Sequence, residues 1–144
     1  MSRHDDERVV DPYELVEQHW PYDGPYSDEL TTAAALMIAR LGRYLNNATQ
    51  KRDGLPYIAV VGRVLAELHA SVAGYEQLLV QLAGYVEREA ETNPSVHDDR
   101  YDRPGAATAR ELVGDLRDDV LPAIRSVADA LDVAARGGYH LGSN

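Results

Sequence analysis

The sequence predicts an all-α protein. The expected architecture is an elongated antiparallel bundle of three long helices, at about 28–50, 56–91 and 105–136, behind an N-terminal aromatic arm with a short helix at 12–19. Three observations carry this reading. Apolar residues recur at steps of three and four through each long segment. Turn sequences rich in proline, glycine and aspartate separate them, at 20–26, 53–56 and 93–105. The middle segment would be ~50 Å long at 1.5 Å per residue. A compact chain of this size has a radius of gyration of only ~15 Å.

Each element has a local warrant. Asp11 before Pro12 suits the start of a short helix, the acid as cap and the proline at the first helical position. The stretch 20–26, with Trp20, Tyr22, Tyr26, Pro21, Gly24 and Pro25, cannot continue a helix. Ser27 is a cap candidate, and Asp28 and Glu29 suit a positive helix start. Leu30, Ala34, Met37, Leu41, Tyr44 and Ala48 then line one face. In the second long segment Ile58, Val61, Leu65, Leu68, Val72, Tyr75, Leu79, Leu82 and Val86 form an unbroken seam. Residues 92–104 read as a loop. Thr108 and Glu111 have capping-box spacing. Leu112, Leu116, Val120, Ile124, Val127 and Leu131 form the third apolar face, with a kink expected at Pro122 and a stop at Gly137 and Gly138. In domain terms, 1–10 is a disordered acidic tail, 11–27 an arm packing on the bundle, 28–138 the bundle and 139–144 a tail.

Composition narrows function. The 144 residues include no cysteine, which excludes disulfides and thiolate metal sites. Phenylalanine is absent, so tyrosine and Trp20 supply the aromatic packing. Thirteen arginines against one lysine, with abundant alanine, glycine and valine, suggest a high-GC genome of the actinobacterial kind. The net charge of −10 is uneven: residues 1–29 hold nine acids and two bases, whereas 30–86 hold three acids and five bases. That acidity argues against nucleic acid as a partner. The charged N-terminus lacks a secretion signal, and the apolar run 33–39 is well short of the ~20 residues a bilayer requires. The expected location is the cytoplasm, without a membrane partner.

The informative oddity is how little charge the first two long helices carry. Between Ile58 and Val86 only Arg63, Glu67 and Glu76 are charged, and opposite the seam stand Ala59, Ala66, Ala70, Ala73, Gly74 and Val80. An ordinary bundle helix keeps one charged face for water. These small residues are therefore the expected interface with a second copy, giving a homodimer through the first two long helices. Trp20 is expected to be mostly buried. A second candidate surface is basic: Arg40, Arg43, Tyr44, Asn47, Lys51 and Arg52 gather toward the end of the first long helix, where they would receive an acidic partner segment or a phosphate. Their bland reading is complement to the helix dipole.

No catalytic or metal-binding motif stands out, and no cofactor is implied. His97, Asp98, Asp99 and Asp102 are possible ligands for a divalent ion, but their spacing reads better as a solvated polar turn. Arg63 and His69, six residues apart, resemble the signature of the HEPN ribonuclease superfamily. That resemblance implies a helical dimer in which an arginine and a histidine act on RNA. It covers two residues, and the polar residue usual after the arginine is here Val64. Tyr85 with Glu89, and Tyr13 with Glu17, resemble the short signal of type VII secretion substrates, without that family's Trp-x-Gly turn. The preferred reading is a non-enzymatic helical scaffold or regulatory interaction module, homodimeric, with an unidentified protein partner. The alternatives are an RNA-processing enzyme using Arg63 and His69, and a secreted helical substrate or acidic nucleic-acid mimic.

Overall fold

A computed structural model describes residues 10–142 of the chain. The described residues are overwhelmingly helical, as expected, and fall into two compact units, Met1–Gly54 and Leu55–Asn144.

The first unit holds helix α1, Pro12–His19, and helix α2, Asp28–Ala48. The Asp11 carboxylate accepts from the amides of Tyr13 and Glu14 at 2.9 and 3.4 Å. Ser27 Oγ accepts from the Leu30 amide at 3.1 Å. Both caps satisfy donors that a helix start leaves unpaired. Between the helices, Gly24 takes φ 83°, a conformation that favours glycine. Trp20 is half-buried, and its indole N–H donates to the Leu30 carbonyl at 3.0 Å, tying the arm to the first turn of α2. Helix α2 ends at Ala48, two residues before the expected end. The turn then folds back so tightly that a Cβ on Gly54 would sit 2.1 Å from the Ala48 carbonyl oxygen. No residue of α2 is buried.

The second unit is an antiparallel pair. Helix α3, Ala59–Thr92, packs on a second helical run made of α4, Ala106–Gly114, a π-helical turn, Asp115–Val120, and α5, Leu121–Tyr139. A two-residue ladder joins them: β1, His97–Asp98, pairs antiparallel with β2, Arg103–Pro104, where a plain loop was expected. Two cross-pairs fix the register. Arg125 Nε meets Glu76 Oε1 at 2.8 Å, and Arg117 grips both oxygens of Glu87 at 3.0 and 2.7 Å. The Arg117 guanidinium holds the Glu87 carboxyl below its usual range, first by hydrogen bonding and then by its charge. Exposed pairs of this kind contribute more to register than to stability.

The α3 seam differs from its expected position in a consistent way. The line facing the second helical run passes through Gly62, Leu65, His69, Val72, Leu79, Ala83, Val86 and Ala90, with half-buried Val61, Val64 and Tyr75 beside it. Leu65, Val72, Leu79 and Val86 belong to the expected seam. Its other members are displaced by one residue, so Leu68 and Leu82 lie exposed. Small residues cause the shift. Gly62 meets Gly138 backbone to backbone: a Cβ on Gly62 would lie 2.7 Å from the Gly138 carbonyl carbon. Ala83, Ala109 and Ala135 fill the remaining close approaches. A seam of Gly and Ala lets the axes come nearer than large side chains allow. It forgoes burial of large groups, and among the described residues no large side chain is fully buried.

Three further expectations are corrected. Gly137 and Gly138 do not stop the last helix, which continues to Tyr139 because Gly138 is the contact with Gly62. Pro122 is accommodated by the preceding π-helical turn, which spaces out the hydrogen bonds that the proline ring would obstruct. Before that turn Ala109 and Val113 are buried and Leu112 is exposed; after it Leu121 and Ala135 are buried and Val120 and Val127 exposed. Leu116, Ile124 and Leu131 of the expected face stay half-buried. Thr108 does not cap a helix. It lies inside α4, which starts at Ala106, and its hydroxyl bonds the Asp98 carboxylate.

Candidate functional site

Leu68, Tyr75 and Leu82 each stand one residue before His69, Glu76 and Ala83, of which His69 is half-buried, Glu76 pairs across to Arg125 and Ala83 is buried. On the other run, Leu112, Val120 and Val127 each stand one residue before Val113, Leu121 and Ala128, which face inward. One residue is a turn of ~100° about a helix axis. Taken in the same sense on two antiparallel helices, that turn leads to the same side of the pair. Both stripes therefore open onto one face. Val61, Val64, Ser71, Leu78 and Tyr85 complete the α3 half, which carries no carboxylate or basic group from Val61 to Tyr85.

The larger side chains on this face are half in water: Leu82 is 46% exposed, Tyr85 55%, Leu112 44% and Val127 47%. Ser71 donates to the Tyr75 hydroxyl at 3.1 Å, so the one aliphatic hydroxyl in the stripe is locally paired. Together the side chains leave on the order of 500 Å² of apolar surface in solvent, at the high end for a monomer and over half of one partner's share of a standard interface.

The residues expected at an interface lie on a different flank of α3. Ala59, Ala70, Ala73, Gly74 and Val80 are exposed and Ala66 is half-buried. Their charge-poor character was legible, but the large apolar groups are on the neighbouring flank. The signal was present in the sequence: two apolar stripes run along α3, and periodicity alone does not say which faces inward.

On α2, Arg40, Arg43, Tyr44 and Asn47 recur at helical spacing on one side, and Lys51 and Arg52 follow in the turn. All six are exposed. Among the described residues, no carboxylate pairs with Arg40, Arg43, Lys51 or Arg52. The basic surface therefore exists within the first unit, together with exposed Leu36, Met37, Ile38 and Leu41.

Arg63 and His69 do not converge within a chain. Six residues of helix separate their directions by roughly 120°. Arg63 is exposed, and His69 is half-buried on the line facing the second helical run.

The most fully built polar cluster is at the short ladder. Asp98 is 6% exposed. Its carboxylate accepts from the Thr108 hydroxyl and, at 3.1 Å, from the Arg100 amide, with Arg103 Nε 3.5 Å away. These partners, Thr108 foremost, hold its pKa below the usual carboxylate range against the opposing effect of burial. Arg100 and Arg103 each place a guanidinium 4.6 and 4.7 Å from the Tyr101 ring centre. His97 Nε2 lies 3.2 Å from Asp102 Oδ1. Every polar partner of Asp98 belongs to this turn or to Thr108, so the cluster reads as a staple fastening the turn to α4. Among the described residues no set of three or more His, Asp or Glu side chains could hold a metal ion. A cavity of about 200 Å³ beside this end is lined by Glu87, Glu91, Ala109, Arg110 and Val113, among others. Among the described residues, no helix is long and apolar enough to cross a membrane.

No protein-family model matches the chain, and comparisons with curated proteins and with solved structures give no match.

Proposed function

We propose that the protein is a non-enzymatic helical interaction module, a scaffold or regulatory partner that acts as a homodimer through α2 and α3 in the cytoplasm. The observation that carries this reading is the open apolar face of the second unit. Two long helices present aligned stripes of Leu, Val and Tyr on one side, with nothing ionised along the α3 half. Water is a poor neighbour for such a face, and another helical surface is a good one. Helix α2 supports the same reading, because it leaves Leu36, Met37, Ile38 and Leu41 exposed. The basic residues of α2 supply a charged contact for an acidic partner segment.

The competing demand of catalysis is for several titratable groups directed at one point. In the built polar cluster the Asp98 carboxylate is taken up by the Thr108 hydroxyl and the Arg100 amide, while Arg103 Nε, 3.5 Å from it, makes no hydrogen bond.

Two double variants of the full chain test this reading and locate the surface on α3. Leu68→Glu with Leu82→Glu places charge on the apolar stripe, and Ala66→Glu with Ala73→Glu places it on the small-residue flank. By size-exclusion chromatography, the first is expected to abolish self-association while helicity by circular dichroism is kept. If both double variants elute as the wild type does, α3 takes no part in the contact; a wild type that elutes as a monomer overturns the interaction-module reading.

A further inference from the structure

The face of α2 is matched to itself in the reverse direction. Its apolar line, Leu30, Ala34, Met37, Leu41, Tyr44 and Ala48, advances by steps of 4, 3, 4, 3 and 4. That series reads the same from either end. A second α2 laid antiparallel across a two-fold axis therefore brings every member of the line onto another member. Leu30 faces Ala48 of the second copy, Ala34 faces Tyr44, and Met37 faces Leu41. Two of these three pairs set a large side chain against an alanine, the alternation by which facing helices interdigitate. A two-fold contact requires such self-complementarity.

Charge follows the same reversal. Asp28 and Glu29 stand at the start of α2, and Lys51 and Arg52 just past its end. Antiparallel pairing sets each acidic pair beside the basic pair of the other copy, twice per dimer. No carboxylate among the described residues meets Lys51 or Arg52 within a chain. On one flank near the axis, exposed Ile38 meets Ile38 of the second copy. On the other, Arg40 meets its own copy, the one unfavourable contact in the arrangement.

We infer that α2 pairs antiparallel with α2 of a second copy, in the register that sets Met37 against Leu41. The occupant of this face is thus another molecule of the same chain. The inference rests on the homodimer proposed above and specifies its contact.

The chain has no cysteine, so introduced thiols report without background. Met37→Cys and Leu41→Cys proteins are mixed and oxidised, and cross-linked products are counted by mass spectrometry. A disulfide needs Cα atoms about 4.4–6.8 Å apart, a limit that discriminates between registers. The expected result is that the mixed 37–41 bridge exceeds both the 37–37 and the 41–41 bridge. A 37–37 bridge in excess, or no bridge from a chain that light scattering shows to be dimeric, overturns this pairing and leaves the homodimer standing. A chain that light scattering shows to be monomeric overturns both.

A charge exchange gives an independent reading. Asp28→Lys with Glu29→Lys is expected to weaken self-association roughly tenfold, and mixing with the Lys51→Glu, Arg52→Glu protein to restore it. Arg40→Gln is expected to tighten it. Loss of association on Arg40→Gln, in a protein that keeps its helicity, contradicts the inference.

Discussion

Replacing Gly62 by alanine tests the packing of the second unit where it is tightest. The added Cβ would lie 2.7 Å from the carbonyl carbon and 2.8 Å from the carbonyl oxygen of Gly138. Ordinary contact begins near 3.4 Å, so the two backbones must separate by about 0.7 Å. Neither side can yield by rotating a side chain, because both partners are backbone. Overpacking of this kind costs ~1–3 kcal/mol. Alanine recovers part of that, since it favours a helix over glycine by ~1 kcal/mol. The net expectation is a loss of about 1–2 kcal/mol. Gly137 provides the control: it sits one residue away in the same helix, and a Cβ there meets nothing within 4 Å. Gly137→Ala should therefore stabilise by ~0.5–1 kcal/mol. The same chemical change at Gly62 and at Gly137 is thus expected to have opposite signs. For a unit of this size, 1 kcal/mol moves Tm by roughly 4–8 °C. Thermal unfolding followed by far-UV circular dichroism resolves that easily. Equal stabilisation by both substitutions would refute the claim that α3 and α5 touch through their backbones.

Other expectations follow from the same geometry. Thr108→Val removes the strongest influence holding down the Asp98 pKa and should raise it toward the ordinary carboxylate value, as read by NMR titration. Because the folded pKa of Asp98 is lowered, its contribution to stability is present above the unfolded value of ~3.9 and is lost as pH falls through the folded value. The 97–104 turn should therefore open in acid below pH ~4 and not near neutrality, which amide exchange at Arg100 would show. Gly105→Ala puts a Cβ 2.6 Å from Val96 Cγ1 and 3.0 Å from the His97 amide nitrogen, and should destabilise the turn by ~1–3 kcal/mol in denaturant unfolding. Trp20→Phe removes the N–H that reaches the Leu30 carbonyl and should hasten proteolysis of the arm at 20–26.

The helices were legible because their signals are local. Ser27, Asp11 and the three- and four-residue steps each act within a turn or two, and α1, α2 and α3 lie within three residues of their expected bounds. The packing was legible only in part. Whether Leu65 shares its seam with Leu68 or with His69 depends on how near the partner helix comes, and Gly138, seventy-six residues from Gly62, sets that distance. The glycines carried the signal, but the pair at 137 and 138 reads locally as a helix stop. The π-helical turn before Pro122 was hidden for a related reason: a proline announces an obstruction, not how the backbone accommodates it. The Asp98 staple was obscured by Thr108, whose spacing to Glu111 suits a capping box equally well. Of the candidate surfaces, the basic one on α2 follows from helical spacing alone, and its six residues are exposed. The apolar face of the second unit emerged only once the inward-facing line was known.

Sedimentation equilibrium on the full chain over a wide concentration range tests the central claim most directly. The account predicts a mass rising to twice the 15.9 kDa of one chain. A mass that stays at that of one chain up to the highest concentration would mean that the apolar surfaces of α2 and α3 tolerate water and that the protein is not the module proposed here.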